Sequence, residues 1–195
     1  MTGAELWLVR HGETQWSASG QHTGTTDIEL SEAGRRLATA LRERLSGIRF
    51  DRVLTSPLQR ARVTAELAGF GDRAEVVPEL AEWNYGQDEG RTTPEIREDR
   101  PGWTVWRDGP LEGETADEVG LRADKVIALA AESAGRVLAF GHGHMSRVIG
   151  ARWIGLAPAD GIRLQLGTAA VCVLGHDRET RAIVHWNDTG RLDPA

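Results

Sequence analysis

The sequence is poor in cysteine, in surplus positive charge and in long apolar runs, and each shortage closes off a class of protein. Cys172 is the one cysteine among 195 residues, so no intramolecular disulfide can form and a secreted scaffold built on disulfides is excluded. Lysine and arginine number 23 against 29 acidic residues, a formal net charge of −6. A nucleic-acid or anionic-membrane surface selects the opposite balance, so neither partner is expected, and an anionic ligand would need a pocket where cations are locally concentrated. Nowhere do ~20 apolar residues follow one another, as a membrane-crossing helix requires. The first apolar run is not preceded by the basic-then-apolar pattern of a targeting segment, so a cytoplasmic location is expected. There is no internal repeat, linker or low-complexity segment. The length and the ordinary balance of 40% hydrophobic and 27% charged residues suit one domain, spanning 1–195, that buries a full core without metal or crosslinks.

What is present is organised around Leu6-Trp7-Leu8-Val9-Arg10-His11-Gly12-Glu13-Thr14. A short apolar run ends in an arginine, a histidine and a glycine, which reads as a buried strand delivering two functional side chains into a loop. The guanidinium of Arg10 favours the neutral, nucleophilic form of His11, and its planar fork of donors suits phosphate oxygens. Leu30-Ser31-Glu32-Ala33-Gly34 opens a helix in which Leu37, Leu41 and Leu45 recur at helical spacing, and Gly47 ends it. Residues 52–55 predict a second strand, and Ser56-Pro57 an N-cap and first helical position for a helix over 57–69. Arg60 then falls in the first turn, where free N–H groups and the helix dipole favour anions.

A further strand is expected at 74–77, followed by Leu80-Ala81-Glu82-Trp83-Asn84-Tyr85-Gly86, a carboxylate among aromatics. The stretch 90–115 mixes glycine, proline, tryptophan and charge without a clean period and reads as an irregular insertion or lid with one short helix at 93–99. Thr115-Ala116-Asp117-Glu118 is a capping box opening a helix to about 133. Arg136 to His144 repeats the strand-then-loop design, with a helix following from about Met145 to Ile154, and two β-rich runs close the chain at 169–174 and 182–186. Alternating strands and helices imply an α/β fold, a three-layer sandwich with a mainly parallel central sheet and helices on both faces. Ligands bind such sheets at the carboxyl ends of the strands. Arg10-His11, Arg60 and His142 are expected to meet at that edge.

Phosphoryl transfer needs a nucleophile, positive groups around the equatorial oxygens and an acid for the leaving oxygen. His11 would attack phosphorus and carry a phosphohistidine, Arg10, Arg60 and a protonated His142 would hold the phosphoryl oxygens, and Glu82 would protonate the departing alkoxide and then deprotonate the attacking water. The scheme requires no metal and no cofactor. His142-Gly143-His144 lacks the carboxylate and third ligand of a zinc site. Cys172 and Arg178 match the spacing of cysteine-based phosphatases, but Cys172 lies inside an apolar run and reads as a buried structural thiol. Trp103 and Trp106 read first as packing, Trp16 and Trp83 as candidate walls of the pocket, and His144 equally as a substrate contact or the start of its helix.

Four segments together, Leu8-Val9-Arg10-His11-Gly12-Glu13-Thr14, Thr55-Ser56-Pro57-Leu58-Gln59-Arg60-Ala61, Leu80 to Gly86 and Gly141-His142-Gly143, resemble the histidine phosphatase superfamily, which includes the cofactor-dependent phosphoglycerate mutases. The resemblance covers about 6–187. It implies the roles just given to His11, Arg10, Arg60, His142 and Glu82, and it puts Thr23 and Gly24, with Ser17, Tyr85 and Gly143, on the phosphate or substrate side. Where mutases carry an asparagine, an arginine and a lysine, this chain has Ser17, Trp83 and Thr93, and of the paired arginines of the insertion only Arg107 stands near Trp106. Loss of those cations favours a phosphatase of small phosphomonoesters, of the acid and sugar phosphatase type. A mutase is the second reading and a phosphate-binding module without catalysis the third. A homodimer is left open.

Overall fold

The period-two alternation of the first strand decides where the two halves of the core lie. In the computed structural model, which describes residues 4–133 and 135–190, β1 (Glu5–Arg10) turns Leu6 and Leu8 to one face of the sheet and Val9 to the other. β2 (Arg52–Thr55), β3 (Ala74–Val76), β4 (Arg136–Gly141), β5 (Val171–Asp177) and β6 (Thr180–Asp188) complete one six-stranded sheet in the order β3-β2-β4-β1-β5-β6. β3, β2, β4 and β1 run parallel to one another, β5 runs antiparallel to β1 and β6 antiparallel to β5. The sheet is therefore mostly parallel with an antiparallel hairpin at one edge.

Helices cover both faces. α1 (Gln15–Ser19) is a short turn after β1; α2 (Glu32–Arg44), capped by Ser31, and α3 (Gln59–Leu67) lie against Val9, Val53, Leu138, Phe140 and Val171 through residues such as Leu41 and Ala65. Between them and the other layer the chain forms α4 (Thr93–Asp99) and α5 (Val105–Asp108). α6 (Ala116–Glu132) and α7 (Gly143–Trp153) bury Val119, Ala123, Val126, Met145, Val148 and Ile149 against Leu6, Leu8, Val137, Ala139 and Cys172. Both cores are continuous with the strands that deliver the loop residues, so packing on either face fixes where the strand ends point.

The expected helix at 93–99 and the Thr115–Glu118 capping box are both present. Two boundaries differ from the sequence reading. Ser56-Pro57 does not start α3, whose N-cap is Leu58 without a side-chain cap; the Ser56 hydroxyl accepts Leu58 N–H at 3.3 Å just ahead of the helix and also pairs with His142. α7 begins two residues early with His142 at its N-cap. The 90–115 stretch is tied into the main core by Ile96, Trp103 and Trp106, all buried. Asp88, fully buried, pairs with Arg91 and Arg100 and accepts the Leu111 N–H, closing the stretch on itself. One contact on the other face is closer than side chains allow: a Cβ on Gly34 of α2 would lie 2.0 Å from the Glu13 carbonyl oxygen, and one on Gly12 would lie 2.4 Å from the Gly34 oxygen.

Candidate active site

His11 leaves the end of β1 with its backbone still on the sheet, donating its N–H to the Gly141 carbonyl at 2.9 Å. Its Nδ1 lies 2.6 Å from the Gly12 carbonyl oxygen. A carbonyl can only accept, so the ring hydrogen is on Nδ1 and the lone pair on Nε2. Burial, then the charges of Arg10 and Arg60, push the ring well below its ordinary 6.5, against the opposing pull of the Gly12 bond. The result is a neutral imidazole with a fixed tautomer and a free nucleophilic nitrogen.

Arg10 gives one Nη1 hydrogen to the Leu166 carbonyl at 2.6 Å, while its buried Nε has no partner. An unpartnered buried donor on a cation costs free energy until an acceptor arrives, which suits a phosphoryl oxygen. Gly143 packs directly on this guanidinium, a Cβ there lying 3.3 Å from Nε.

Arg60 and His142 form a second layer. Arg60 is fully buried and donates to the carbonyls of Thr26 (2.9 Å), Thr23 (3.1 Å) and Gly24 (2.9 Å), and through Nε to His142 Nδ1 at 3.2 Å. Guanidinium nitrogens only donate, so His142 Nδ1 carries the lone pair, and Nε2 gives its hydrogen to the Ser56 hydroxyl at 2.6 Å. Burial first, then Arg60, holds this ring neutral too, well below 6.5. The sequence reading of a protonated His142 is corrected by this pair: a cation cannot accept the Arg60 hydrogen. His11 and His142 stand 5.3 Å apart, centroid to centroid.

Glu82, 7% exposed, meets the N-terminus of α7. Oε1 accepts the N–H groups of Trp83 (2.9 Å) and Met145 (2.8 Å), filling both its lone pairs, and Oε2 accepts only His144 N–H at 3.0 Å. The remaining lone pair on Oε2 is the one place the carboxyl can hold a proton without losing a bond.

A cleft of about 280 Å³ brings Arg10, His11, Ser17, Thr23, Glu82, Tyr85 and Gly143 together, while Arg60, His142 and Gly24 lie behind its wall. Ser17 reaches the cleft, but its hydroxyl closes a reciprocal cap with Thr14, accepting Thr14 N–H at 2.9 Å and donating to Thr14 O at 3.1 Å. Trp83 does not wall the cleft: it is fully buried and donates to the Glu114 carbonyl at 2.7 Å. Trp16 packs instead over Gly90. Cys172 accepts Asn187 N–H in the core and burial pushes its thiol up to about 12, so it is no nucleophile.

The sequence reading missed His22 and Arg147, and left His144 undecided. His144 lines the cleft with its Nδ1 2.5 Å from the Tyr85 hydroxyl, among Trp83 and Trp106. Burial, followed by the charge of Arg147, holds it neutral, so the hydroxyl donates; burial, and next Glu82, pushes Tyr85 well above 10. Arg147, one helical turn beyond Gly143, stacks on Trp106 at 4.5 Å and donates to Gly161 and Ile162 carbonyls. Its signal in the sequence was helical spacing from Gly143, legible only once α7 was known to begin there. Among the described residues no group of three His, Cys, Asp or Glu side chains could hold a metal ion, and no helix is long and apolar enough to cross a membrane.

Comparison with known proteins places this geometry. The sequence model of the histidine phosphatase superfamily (branch 1) matches residues 6–189. An acid phosphatase of Mycobacterium tuberculosis is 42% identical, aligned over 97% of this chain and 95% of its own. A sedoheptulose 1,7-bisphosphatase of Saccharomyces cerevisiae is 38% identical over 76% of this chain and 67% of its own. The solved product of a Mycobacterium tuberculosis open reading frame superposes with a TM-score of 0.92 at 42% identity, covering 96% of this chain and 99% of that one. A mycobacterial glucosyl-3-phosphoglycerate phosphatase solved with VO3 gives 0.85 at 28% identity, covering 95% and 99%.

Proposed function

Since this chain belongs to the histidine phosphatase superfamily, we propose that it hydrolyses small phosphate monoesters through a phosphohistidine on His11. The observation that carries the reading is the His11 ring, with Nδ1–H spent on the Gly12 carbonyl and the Nε2 lone pair free in a cleft shared with the unpartnered Nε of Arg10. In the first step the Nε2–P bond forms as the P–O bond to the leaving group breaks, and the proton on Glu82 Oε2 goes to the departing oxygen. In the second, Glu82 takes a proton from water as its oxygen attacks phosphorus, and inorganic phosphate leaves with His11 neutral again. Arg10 meets the phosphoryl charge directly, and Arg60 supports it from behind while holding the 23–26 loop by its carbonyls. His142 stays neutral behind the wall of the cleft, accepting from Arg60 and donating to Ser56, and so fixes the direction in which the Arg60 guanidinium supports the phosphoryl charge.

Monoester hydrolysis is favoured over mutase chemistry by the placement of Arg107 and Thr93. Arg107 is occupied by Asp108 and the Gly102 carbonyl on an exposed surface, and Thr93, not a lysine, borders the cleft. Neither offers the cation that a phosphoglycerate carboxylate would need. We further read the 90–115 segment as the lid that sets specificity, and the single free thiol is in keeping with a cytoplasmic enzyme.

The test is phosphate release from p-nitrophenyl phosphate, sugar phosphates and 3-phosphoglycerate in the presence of chelator, for the wild type and His11→Ala, with acid-quench trapping of labelled phosphoenzyme. Release and a trapped phosphohistidine that both vanish in His11→Ala are expected. Release that survives the substitution, or a requirement for a bisphosphoglycerate primer, would overturn the reading.

A further inference from the structure

Glu82 sits in a stretch, 77–86, that belongs to no strand and no α-helix, so something other than a ladder of backbone bonds must hold the carboxyl against the α7 terminus. Beyond the bonds of the Glu82 carboxyl itself, much of that hold starts from one side chain, Arg122, in the second turn of α6. Its Nη1 donates to the carbonyls of Glu79 (2.9 Å) and Ala81 (2.7 Å), and Nη2 reaches the carbonyl of Glu82 itself at 3.3 Å. Nε and the other Nη2 hydrogen grip Glu114 in a fork, both at 2.7 Å. All five guanidinium hydrogens are thereby used.

Glu114 continues the clamp from the other side. Its Oε2 accepts Asn84 N–H at 2.9 Å, its backbone N–H donates to the Asn84 carbonyl at 2.9 Å, and its carbonyl accepts Trp83 Nε1–H at 2.7 Å. The pair thus touches residues 79, 81, 82, 83 and 84, the whole platform beneath Glu82. The two side chains are only 19% and 22% exposed, and they neutralise each other, so they fix position without adding net charge next to the proton donor. A lysine could not reproduce the geometry, since three hydrogens on one nitrogen cannot span two carbonyls and a planar carboxylate.

We infer that Arg122 and Glu114 form a positioning clamp that sets Glu82 for proton transfer to the leaving oxygen. The inference rests on the assignment of Glu82 as proton donor made above. Placement errors of about an ångström in a catalytic group cost on the order of a hundredfold, and only substrates that need the proton feel them. An ester whose leaving group departs as a stable anion does not.

The experiment measures kcat/KM, which reports only the steps through phosphohistidine formation, for 2,4-dinitrophenyl phosphate and for an alkyl phosphate such as glycerol phosphate. Variants are Arg122→Gln, Arg122→Lys, Glu114→Gln, the double Arg122→Gln/Glu114→Gln, and Glu82→Gln. Arg122→Gln should lower the alkyl ester at least tenfold and the dinitrophenyl ester less than threefold, with Arg122→Lys behaving similarly and the double variant losing no more than the worse of its two single variants, since the two side chains act as one unit. Glu82→Gln should show the same selectivity, larger. If Arg122→Gln proves insoluble, Arg122→Lys and Glu114→Gln, which retain a charge or the shape of the partner, carry the same readout. Equal losses on both esters in the clamp variants, beside a selective Glu82→Gln, overturn the clamp alone. A Glu82→Gln variant without selectivity overturns the clamp together with the assignment of the proton donor.

Discussion

Gly143→Ala is the substitution for which the geometry gives the sharpest expectation. Gly143 opens α7 with its backbone outside the left-handed region, so alanine fits the main chain. Its methyl, however, would stand 3.3 Å from Arg10 Nε and 3.4 Å from Cζ, tighter than ordinary contact and beside the one buried donor of Arg10 that has no partner. The guanidinium cannot simply retreat, because Nη1 is bonded to the Leu166 carbonyl at 2.6 Å. The variant should therefore lose one charge-assisted hydrogen bond to the phosphoryl group, worth about 1.5–3 kcal/mol, or roughly ten- to 150-fold in affinity. The assay pairs the inhibition constant of inorganic phosphate and kcat/KM for p-nitrophenyl phosphate with a urea midpoint. The expected result is a weakened phosphate site in a protein that still folds, the urea midpoint reporting what the crowded contact costs. Phosphate inhibition within twofold of wild type would refute the idea that the Arg10 Nε edge receives the phosphoryl group.

Two further expectations come from burial. Nucleophilic attack needs neutral His11, and since the folded ring titrates well below 6.5, mainly through desolvation, activity should persist as pH falls past 6.5 and fail only at the lowered value. A kcat/KM profile for p-nitrophenyl phosphate, corrected for the substrate's own second ionisation, should place its acid limb below 6.5; a limb at or above that value contradicts the desolvated ring. Trp83→Ala removes a fully buried indole and its bond to the Glu114 carbonyl, and should cost about 3–5 kcal/mol in urea unfolding; a cost under about 1 kcal/mol would mean the indole is not packed as described.

What could be read in the sequence was whatever short-range pattern decides. The apolar run Leu6–Val9, the Thr115–Glu118 box and the Thr93–Asp99 helix each carry their cause within a few residues, and the structure has all three. Arg10, His11, Arg60 and His142 were legible because strand ends and helix starts of a parallel sheet share one edge, whereas Ser17, Thr23, Gly24, Tyr85 and Gly143 came only from the family resemblance. What the sequence could not show was each side chain's hydrogen-bond partner. Ser56 reads as a helix cap, but its hydroxyl, while accepting Leu58 N–H, is shared with His142, 86 residues away. Ser17 reads as a phosphate donor until Thr14 consumes it. His142 reads as a cation until Arg60 is found donating to it. Arg122 is an ordinary helix charge until the carbonyls of the 79–82 stretch arrive beneath it.

The contact between Gly12 and Gly34 joins the fold to the chemistry with nothing in between. The carbonyl that fixes the His11 tautomer belongs to Gly12, and the far side of that same residue rests on the backbone of α2 at a distance no side chain could occupy. The loop of the nucleophile has little room there: a side chain at position 34 would press on the Glu13 backbone, next to the Gly12 carbonyl that fixes the hydrogen on Nδ1 and the lone pair on Nε2. Position 34 is thus a remote control on a proton, and the helix that looks like scaffolding is, at that residue, part of the acid–base arrangement.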